Sequence, residues 1–363
     1  MPQNENFWNP YRMIPVRERI EKKPPLTDEK FKGKSGVISC SLENLTPLFI
    51  GGNRNFGENF LTRDGKCVIP GSSLKGMLRS LAEIVGGGCF VVADRKVKHD
   101  SRYKACDNAN SLCVACRMFG MMERGRNARV HRGNISIGDA LMREENPKAK
   151  AYDVLLSSCG TRHEPFYRSP QTGNVDGKSR KLYFHQPNRT DSVPNVPDKL
   201  RSRAWKIRAL QPGHHFDFEV QFSNLRSEEI RLLLYVLALE EEVSVTLGEE
   251  QIRLRGPLRH KLGNAKPLGM GSCHISVEKL VYLAAPRARF ASLREPEDTV
   301  YEGDALINEL SGMRRGFIGD TSPTMQQLRK MMVWDENDSR SFKYPEYHWF
   351  KNPENSRKPL KAI

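Results

Sequence analysis

The sequence is organised around one turn and the helix after it, Ile69-Pro70-Gly71-Ser72-Ser73-Leu74-Lys75-Gly76-Met77-Leu78-Arg79. Pro70-Gly71 is typical of a turn, and Ser72-Ser73 are residues that commonly cap a helix N-terminus. Apolar residues then recur at helical spacing up to Gly86, a natural end for the helix. Lys75 and Arg79 lie one turn apart on its polar side. Because a helix N-terminus leaves backbone N–H groups free, this turn suits a phosphate. The alternative is a capped core helix with two solvated basic residues.

Composition favours a basic protein that binds a polyanion. The chain has 363 residues and a formal net charge of +15, which favours nucleic acid as a partner; a merely soluble basic protein is the alternative. Its apolar runs are shorter than a membrane-spanning helix requires, so no membrane partner is expected. Residues 1–10 lack the apolar core of a signal peptide, and we therefore expect a cytoplasmic protein. In the cytoplasm, the eight cysteines are expected to be free thiols or metal ligands rather than disulfides.

The order of the main elements predicts the fold class. Apolar patterns mark four strands and two helices, at 35–50, 72–86, 131–140, 214–223, 230–240 and 272–283. The cleanest strand is 214–223, where aromatic or branched residues alternate with polar ones. Strand, helix, strand, strand, helix, strand is the order of the split βαβ plan. We therefore predict an α+β protein with a ferredoxin-like, RRM-like βαββαβ core.

Polar and proline-rich stretches divide the chain around that core. Residues 1–34 are predicted to form an N-terminal arm that is disordered or laid across another subunit. The predicted core domain spans 35–284, with insertions at 87–130 and 141–213, and a C-terminal extension spans 285–363 with one helix around 324–332. Insertions of this length are usually functional or disordered.

The first insertion carries a candidate zinc site. Cys106, Cys113 and Cys116 lie within eleven residues, and the Cys-x2-Cys spacing places two thiolates on one turn. His99 is the preferred fourth ligand and Cys89 the alternative. Four protein ligands leave no position for water, so the predicted Zn²⁺ is structural. Ordinary buried thiols are the alternative explanation.

Two further stretches combine features that suit a nucleic acid. The glycine-rich run 263–271 lets a backbone approach closely, and Lys266 adds a positive charge. It lacks the ending of a nucleotide P-loop, so ATP binding is not expected, and a plain β-turn is the alternative. The second insertion interleaves cations such as Arg180 and Lys181 with aromatic residues, as single-stranded RNA sites do. A solvated loop with a few packed aromatics would look the same.

These pieces together resemble the RAMP superfamily, the repeat-associated proteins of CRISPR systems, and most closely its backbone subunits in type III effector complexes. The matching pieces, in chain order, are Asn9-Pro10-Tyr11, Leu45-Thr46-Pro47-Leu48-Phe49-Ile50-Gly51-Gly52, the run 69–79, Cys116-Arg117-Met118-Phe119-Gly120, Gly177-Lys178-Ser179-Arg180-Lys181-Leu182-Tyr183-Phe184-His185, the run 263–271 and Tyr344-Pro345-Glu346-Tyr347-His348-Trp349-Phe350. The predicted strand order agrees with the RRM-like core of that family.

The resemblance implies a subunit that stacks along a guide RNA and shapes its pairing with target RNA, beside copies of itself or paralogues. In such proteins the Lys of the Ser-Ser-Leu-Lys-Gly run and the later glycine-rich loop contact the guide backbone. Carried onto this sequence, the contacts are Lys75, Arg79, Gly269 and Gly271, with Ser72, Ser73 and Lys266 in the same two turns. A β-hairpin thumb that wedges between bases is expected within 155–210.

Catalysis is where the sequence departs from the family pattern. Active backbone subunits cut target RNA with an Asp in the loop before the Pro-Gly-Ser-Ser turn, aided by a divalent metal such as Mg²⁺. Alignment on Arg63-Asp64 puts Glu58 at that position. Glutamate moves the carboxylate out by one methylene, and a misplacement near 1 Å costs on the order of a hundredfold in rate. Asp64 is the other candidate acid, and both acids are equally explained as solvated loop residues.

Two other functions stay open at this level. One is a guide-RNA-processing endoribonuclease of the same superfamily, which would need a defined His or Tyr–Lys site and two ferredoxin-like halves. The other is a stand-alone zinc RNA-binding module. A backbone subunit, unlike either, should co-purify with a guide RNA and protect it at regular intervals.

Overall fold

The structure is a computed structural model. It describes residues 7–27, 29–51, 59–91, 100–123, 125, 127–156, 163–168, 174–175, 177–189, 196, 198–248, 250–285, 288, 297–345, 347–361 and 363. Glu58 and His99, two of the predicted site residues, lie outside these ranges.

Seventeen strands and six α-helices are formed by the described residues. The strands are β1 Tyr11–Pro15, β2 Lys34–Asn44, β3 Thr62–Arg63, β4 Lys66–Ile69, β5 Met121–Met122, β6 Val130–His131, β7 Ile135–Ile137, β8 Ala140–Met142, β9 Ala149–Val154, β10 Ser179–Tyr183, β11 Trp205–Leu210, β12 His215–Leu225, β13 Val243–Leu247, β14 Ile252–Gly256, β15 His260–Lys261, β16 Ser272–Tyr282 and β17 Thr299–Tyr301. The helices are α1 Gly71–Gly86, α2 Val114–Phe119, α3 Ser227–Ala238, α4 Gly303–Ile318, α5 Pro323–Met332 and α6 Tyr347–Lys351. None of these helices combines the length and apolar character needed to cross a membrane.

A curled antiparallel sheet forms the centre of the protein. Its strand order is β15-β16-β2-β12-β8-β4-β3, with β17 added to β16 and β7 added to β12. The three long strands β16, β2 and β12 are therefore adjacent, and β7 and β8 pair side by side with β12. Helices α1 and α3 pack on each other, with α1 also against β7 and α3 against β16. The α+β class predicted from the sequence is confirmed.

Strand β12 shows why this sequence forms a half-buried sheet. Phe216, Phe218, Val220 and Phe222 are buried, and the intervening Asp217, Glu219 and Gln221 are exposed. Successive side chains on a strand point to opposite faces, so this alternation fixes which face meets the core.

Two predicted strands are shorter than expected. The first ends at Asn44 rather than at residue 50, because the Asn44 side chain is buried and bonds its amide to the carbonyls of Thr46 and Gln211. These bonds turn the chain out of the sheet. The strand expected at 131–140 is divided into β6, β7 and the start of β8, with a break at 138–139. The residues at this break contact the N-terminal end of α1.

The N-terminal arm packs on its own chain. Strand β1 pairs with β10 of the second insertion, Tyr11 opposite Tyr183, and Trp8 bonds its backbone N–H to the Ser341 carbonyl at 2.8 Å. Residues 7–27 are therefore packed on their own chain rather than forming a free arm, and a contact of the arm with another subunit stays a prediction. The partners lie more than a hundred residues away, beyond the reach of local sequence patterns.

Candidate nucleic-acid interface and metal centre

Helix α1 begins one residue before the predicted serine caps. Pro70 occupies the N-cap position and has no side-chain cap, and the helix starts at Gly71. The capping role falls to Asp139, whose Oδ1 accepts the Gly71 N–H at 2.8 Å and whose other oxygen pairs with Arg63. The predicted capping role of Ser72-Ser73 is therefore wrong. A carboxylate already occupies the end of the helix where a phosphate was expected.

Close packing explains why glycine stands at position 71. A Cβ built there would lie 2.1 Å from the Ile137 carbonyl oxygen and 2.8 Å from that of Gly138. The helix end thus rests directly on the break between β7 and β8, which brings Asp139 to the helix end. The other end stops at Gly87, one residue beyond the predicted Gly86, with the left-handed φ of 75° typical of a C-cap.

The outer face of the first turns of α1 stays open. Ser72 and Gly76 are exposed and Lys75 is half-buried. Lys75 donates Nζ to the Ile135 carbonyl at 2.9 Å, and it forms no ion pair with any carboxylate of the described residues. Burial lowers the pKa of Lys75, and repulsion from Arg79 and Arg132 lowers it further. The lysine therefore offers a positive charge that no neighbouring acid balances.

Arg79, by contrast, points into the protein. Its guanidinium donates to Glu83 Oε1 at 3.0 Å, to the Gly120 carbonyl at 2.8 Å and to Cys116 Sγ at 3.4 Å. Burial lowers the pKa of Arg79, but the hydrogen bond to Glu83 and the nearby Cys116 outweigh it, so the net shift is upward. Arg79 joins α1 to the segment that carries the cysteines.

The two cations of β10 also have partners within the chain. Arg180 pairs with the buried Glu83, donates to the Cys89 carbonyl at 3.2 Å and covers the Phe90 ring at 4.7 Å. Lys181 donates to the Tyr167 hydroxyl at 3.2 Å and lies 3.7 Å over the ring of Tyr11. For Arg79, Arg180 and Lys181 an RNA contact stays a prediction, beside these roles in holding the chain together.

The glycine-rich loop packs against the stretch that follows β2. The Gly271 N–H donates to the Pro47 carbonyl at 2.9 Å and the Asn264 N–H to that of Phe49 at 3.0 Å. Gly271 has a φ of 80°, and a Cβ there would lie 1.8 Å from the Leu262 carbonyl oxygen, so glycine is required. Two of the stretches that carried the family resemblance therefore form one surface.

Two lysines lie in or next to this loop, Lys266 within it and Lys261 at the end of β15 before it, and neither has a carboxylate partner among the described residues. Lys261 donates Nζ to the Gly269 carbonyl and to Ser272 Oγ, both at 3.2 Å. Burial lowers the pKa of Lys261 to about 7, and the nearby Lys266 contributes. Burial also lowers the pKa of Lys266. His185 supports the same loop, because its Nδ1 lies 2.8 Å from Ser272 Oγ and its Nε2 donates to the Arg259 carbonyl at 3.0 Å.

Four buried cysteines form a candidate metal centre. The sulfur atoms of Cys89, Cys106, Cys113 and Cys116 all lie within 4.8 Å of one another. Those of Cys89 and Cys116 are 3.6 Å apart, close to the S···S separation of about 3.8 Å that tetrahedral Zn–S bonds of about 2.3 Å give. The residues therefore fit a structural zinc ion, and Cys89, the alternative ligand, completes the set of four.

Hydrogen bonds within the cluster favour the thiolate, the form that binds metal, at Cys106 and Cys113, whose pKa values are lowered, and the thiol at Cys89 and Cys116, whose pKa values are raised. The Cys113 N–H donates to Cys106 Sγ at 3.3 Å and the Cys89 N–H to Cys113 Sγ at 3.5 Å. Hydrogen bonds from Cys106 and the other two thiols lower the pKa of Cys113 far below its usual range. The segment is anchored on α3 by a buried ion pair, Arg117 to Glu229 at 2.6 Å.

Asp64, the candidate catalytic acid that lies among the described residues, forms part of a hairpin turn. Asp64 and Gly65 have φ angles of 50° and 79° and form the two-residue turn between β3 and β4. Asp-Gly is typical of such hairpin turns, and the Asp64 side chain is exposed. Sequence reasoning missed Asp139, Gly76 and Glu83. A proline-glycine turn calls for a cap, yet nothing in the local pattern identified a residue as distant as Asp139.

Comparison with known proteins identifies the family. The model described as "RAMPs: RAMP superfamily" matches residues 41–273, which is more than half of the 363 residues. No curated protein matches the chain. The matched segment runs from β2 to the start of β16, and so contains the α1 turn, the four cysteines and the glycine-rich loop. The chain belongs to the RAMP superfamily.

Proposed function

We propose that this protein is a guide-RNA-binding backbone subunit of a type III CRISPR ribonucleoprotein, which organises the pairing of guide and target RNA. RAMP proteins bind RNA and act in multisubunit complexes. Family membership therefore supports two parts of the proposal, that the protein binds RNA and that it works within a complex. The type III assignment, and the partners as copies of this chain or paralogues, rest on the motifs at the two ends of the chain and around α1.

One residue, Gly76, carries the argument that α1 meets RNA. A glycine inside a helix is roughly 1 kcal/mol less stable than alanine, and the fold has no need of it, because a Cβ at Gly76 would meet nothing within 4 Å. Ser72 lies one turn earlier on the same exposed face. A strip with no side chain larger than that of serine, beside Lys75, lets a phosphate backbone lie against the helix.

The glycine-rich loop supplies the second proposed contact. Lys266, Gly269 and Gly271 lie beside Lys261, and neither lysine has a described carboxylate partner, so a phosphate bound here would stabilise the protonated form of both lysines against the burial that lowers their pKa values. The thumb is proposed to arise from β9 and β11, which pair antiparallel within the second insertion. At the end of this ribbon opposite Leu210, which bridges to Leu48, Trp205 is 43% exposed, a surface suited to stacking on a base.

The sheet order supports a ferredoxin-like core for this RNA-binding domain. The long strands and the β7–β8 unit follow one another along the chain as β2, β7–β8, β12 and β16. Across the sheet their order is β16, β2, β12, β7–β8, so the fourth strand is followed by the first, third and second, and α1 and α3 are the two connecting helices. That is the arrangement expected of a split βαβ unit. Cleavage of target RNA with Mg²⁺ at Glu58 or Asp64 stays a prediction, and the turn role of Asp64 favours Glu58 of the two.

The test compares RNA retained by purified variants. Gly76→Ala should raise the free energy of unfolding by about 0.5–1 kcal/mol and yet weaken RNA binding, since the methyl group fills the approach. Lys75→Ala should also weaken binding. Arg231→Ala is the matched control, because it removes an exposed cation from α3, outside the proposed contacts.

Stability and binding are measured on the same preparations, by urea unfolding and by fluorescence anisotropy with a labelled single-stranded RNA. If Gly76→Ala and Lys75→Ala both bind RNA like the unmodified protein, α1 is not the RNA contact. A purified complex that contains no RNA at all would overturn the proposed function.

A further inference from the structure

A groove of about 1180 Å³ opens beside Lys75, and none of the predicted site residues other than Lys75 contributes to it. One wall comes from the N-terminal segment that leads into β2, with Phe31 and Lys34. The opposite wall comes from β6, β7 and the residues between them, with Val130 and Arg132. The end of β16 and strand β17 close the third side.

The charge of the groove has one sign. Lys34, Lys75 and Arg132 line it together with His131, whereas no Asp or Glu is among its described lining residues. The positive side chains among these described residues favour an anion as the ligand. Lys75 is held toward the groove by its bond to the Ile135 carbonyl at 2.9 Å.

Apolar and aromatic surface lies between the cations. Phe31 is 45% exposed and Val130 is 67% exposed, so both present apolar surface to the groove. The Lys34 ammonium lies 4.6 Å over the Tyr282 ring, and Tyr301 packs edge-on against the same ring at 5.9 Å. Tyr282 itself is buried, so Phe31 is the exposed ring of the groove, and an exposed ring near positive groups is the combination that holds unstacked bases with their phosphates.

We propose that the groove binds a single-stranded RNA segment, with phosphates at Lys34, Lys75 and Arg132 and an unstacked base against Phe31. The choice of RNA as the anion rests on the proposed function. The volume exceeds that of a small-molecule pocket, which is about 300–1000 Å³, and accommodates more than one nucleotide. Because Lys75 belongs both to the groove and to the open face of α1, the RNA path continues from the helix into the groove.

The experiment uses the full chain and labelled single-stranded RNA. Phe31→Ala should weaken binding about tenfold, in line with the loss of one stacked base, and Phe31→Tyr should restore it. Lys34→Gln should reduce the salt dependence of binding by roughly one phosphate contact, and Lys34→Arg should restore it. Arg231→Ala serves again as the control, and unfolding midpoints confirm that every variant is folded.

Photocrosslinking locates the contact. RNA substituted with 4-thiouridine should crosslink to a peptide that contains Phe31 or Tyr301, and unlabelled RNA should compete. Competition by a polyglutamate peptide at equal charge concentration would indicate an acidic protein partner instead and would overturn the proposal.

Failure of the groove and failure of the proposed function give different results. If Phe31→Ala and Lys34→Gln bind normally while Lys75→Ala and Gly76→Ala bind weakly, the groove proposal is wrong and the α1 contact stands. If the unmodified protein binds no RNA, both are wrong.

Discussion

The contact between Gly71 and Asp139 connects the start of α1 to the central sheet. The carboxylate accepts the first free N–H of the helix at 2.8 Å and also pairs with Arg63. A negative charge at this end of a helix is favourable because it opposes the helix dipole. The contact forms only if the helix end approaches the carbonyls of 137 and 138 without an intervening side chain.

We predict that Gly71→Ala destabilises the protein by more than 2 kcal/mol. The added Cβ would meet the Ile137 carbonyl oxygen at 2.1 Å, so helix and sheet must separate and the bond to Asp139 is lost. The measurement is the free energy of unfolding in urea. Gly312→Ala in α4 is the control: it meets nothing within 4 Å and should stabilise by about 0.5–1 kcal/mol. Equal effects of the two substitutions would contradict this account of Gly71.

A second residue-scale prediction concerns pH and His260. Burial, followed by repulsion from His274 and Arg259, lowers the pKa of His260 from 6.5 to about 4, and its Nε2 donates to the Val236 carbonyl at 2.7 Å. The folded protein therefore keeps His260 neutral, while the unfolded chain takes up a proton below pH 6.5. The free energy of unfolding that neutral His260 contributes is present above pH 6.5 and is lost as the pH falls toward 4.

The expected loss is about 2 kcal/mol between pH 6.5 and pH 5, since each pH unit in that interval corresponds to about 1.4 kcal/mol. Urea unfolding at pH 7.5 and 5.0 measures it. His260→Gln keeps a donor for the Val236 carbonyl but removes the titration, so its stability should fall by less over the same interval. Parallel falls in the two proteins would show that other groups carry the pH dependence.

Residue types alone predicted the helix at 72–86 to within one residue but not its cap. Serines at 72 and 73 are good caps in general, yet here the residue that caps is 68 positions away in the sequence. The same limit applies to Arg79. Spacing placed it beside Lys75, whereas its buried partners Glu83 and Cys116 could be recognised only after α1 and the cysteine segment were packed together.

At the scale of elements, the cysteine segment is held by charged side chains as well as by its sulfurs. Arg79 of α1 and Arg180 of β10 both pair with Glu83, which is 4% exposed, and they reach Cys116 and Cys89 respectively. A metal centre at these cysteines would therefore tie together α1, the first insertion and the second insertion.

We predict one zinc ion per chain, held by the four cysteines. Cys113→Ser should abolish the zinc content measured by elemental analysis and should lower the free energy of unfolding by several kcal/mol, because structural zinc contributes folding energy directly. Cys67→Ser, a buried cysteine of β4 outside the cluster, should keep the zinc. His99→Ala should keep it as well, since Cys89 provides the fourth sulfur; loss of zinc in that variant would restore His99 as the ligand.

The elements that sequence patterns missed are those with little apolar surface of their own. Helix α4 buries only Leu306 and Leu310 and contains three glycines, so its periodicity is faint. Strand β1 could not be distinguished from a free arm, because its partner β10 lies far along the chain. By contrast β12, α3 and β16 have strong periodic patterns and were predicted to within a few residues.

At the scale of the whole molecule, the net charge of +15 is spread over surfaces with different roles. Many arginines form ion pairs within the chain, as Arg143 does with Asp217 and Arg329 with Glu240. Such cations are neutralised and add little to the attraction of a polyanion. The charges expected to act on RNA are Lys34 and Lys75 in the groove beside α1 and Lys266 in the glycine-rich loop, which have no carboxylate partner among the described residues, together with Arg132 of the same groove.

This distinction predicts how RNA binding depends on salt. Four phosphate contacts, at Lys34, Lys75, Arg132 and Lys266, would give a slope of about −3 in a plot of log K against log salt concentration, since a single-stranded contact contributes about −0.7. Affinity should then fall roughly fiftyfold between 50 and 200 mM salt. Anisotropy titrations at several salt concentrations measure the slope, and Lys266→Gln should make it shallower by about 0.7 while Arg231→Ala leaves it unchanged. A slope steeper than about −7 would mean that cations paired with carboxylates in the free protein bind phosphates in the complex. That result would contradict the expectation that paired cations add little to RNA binding.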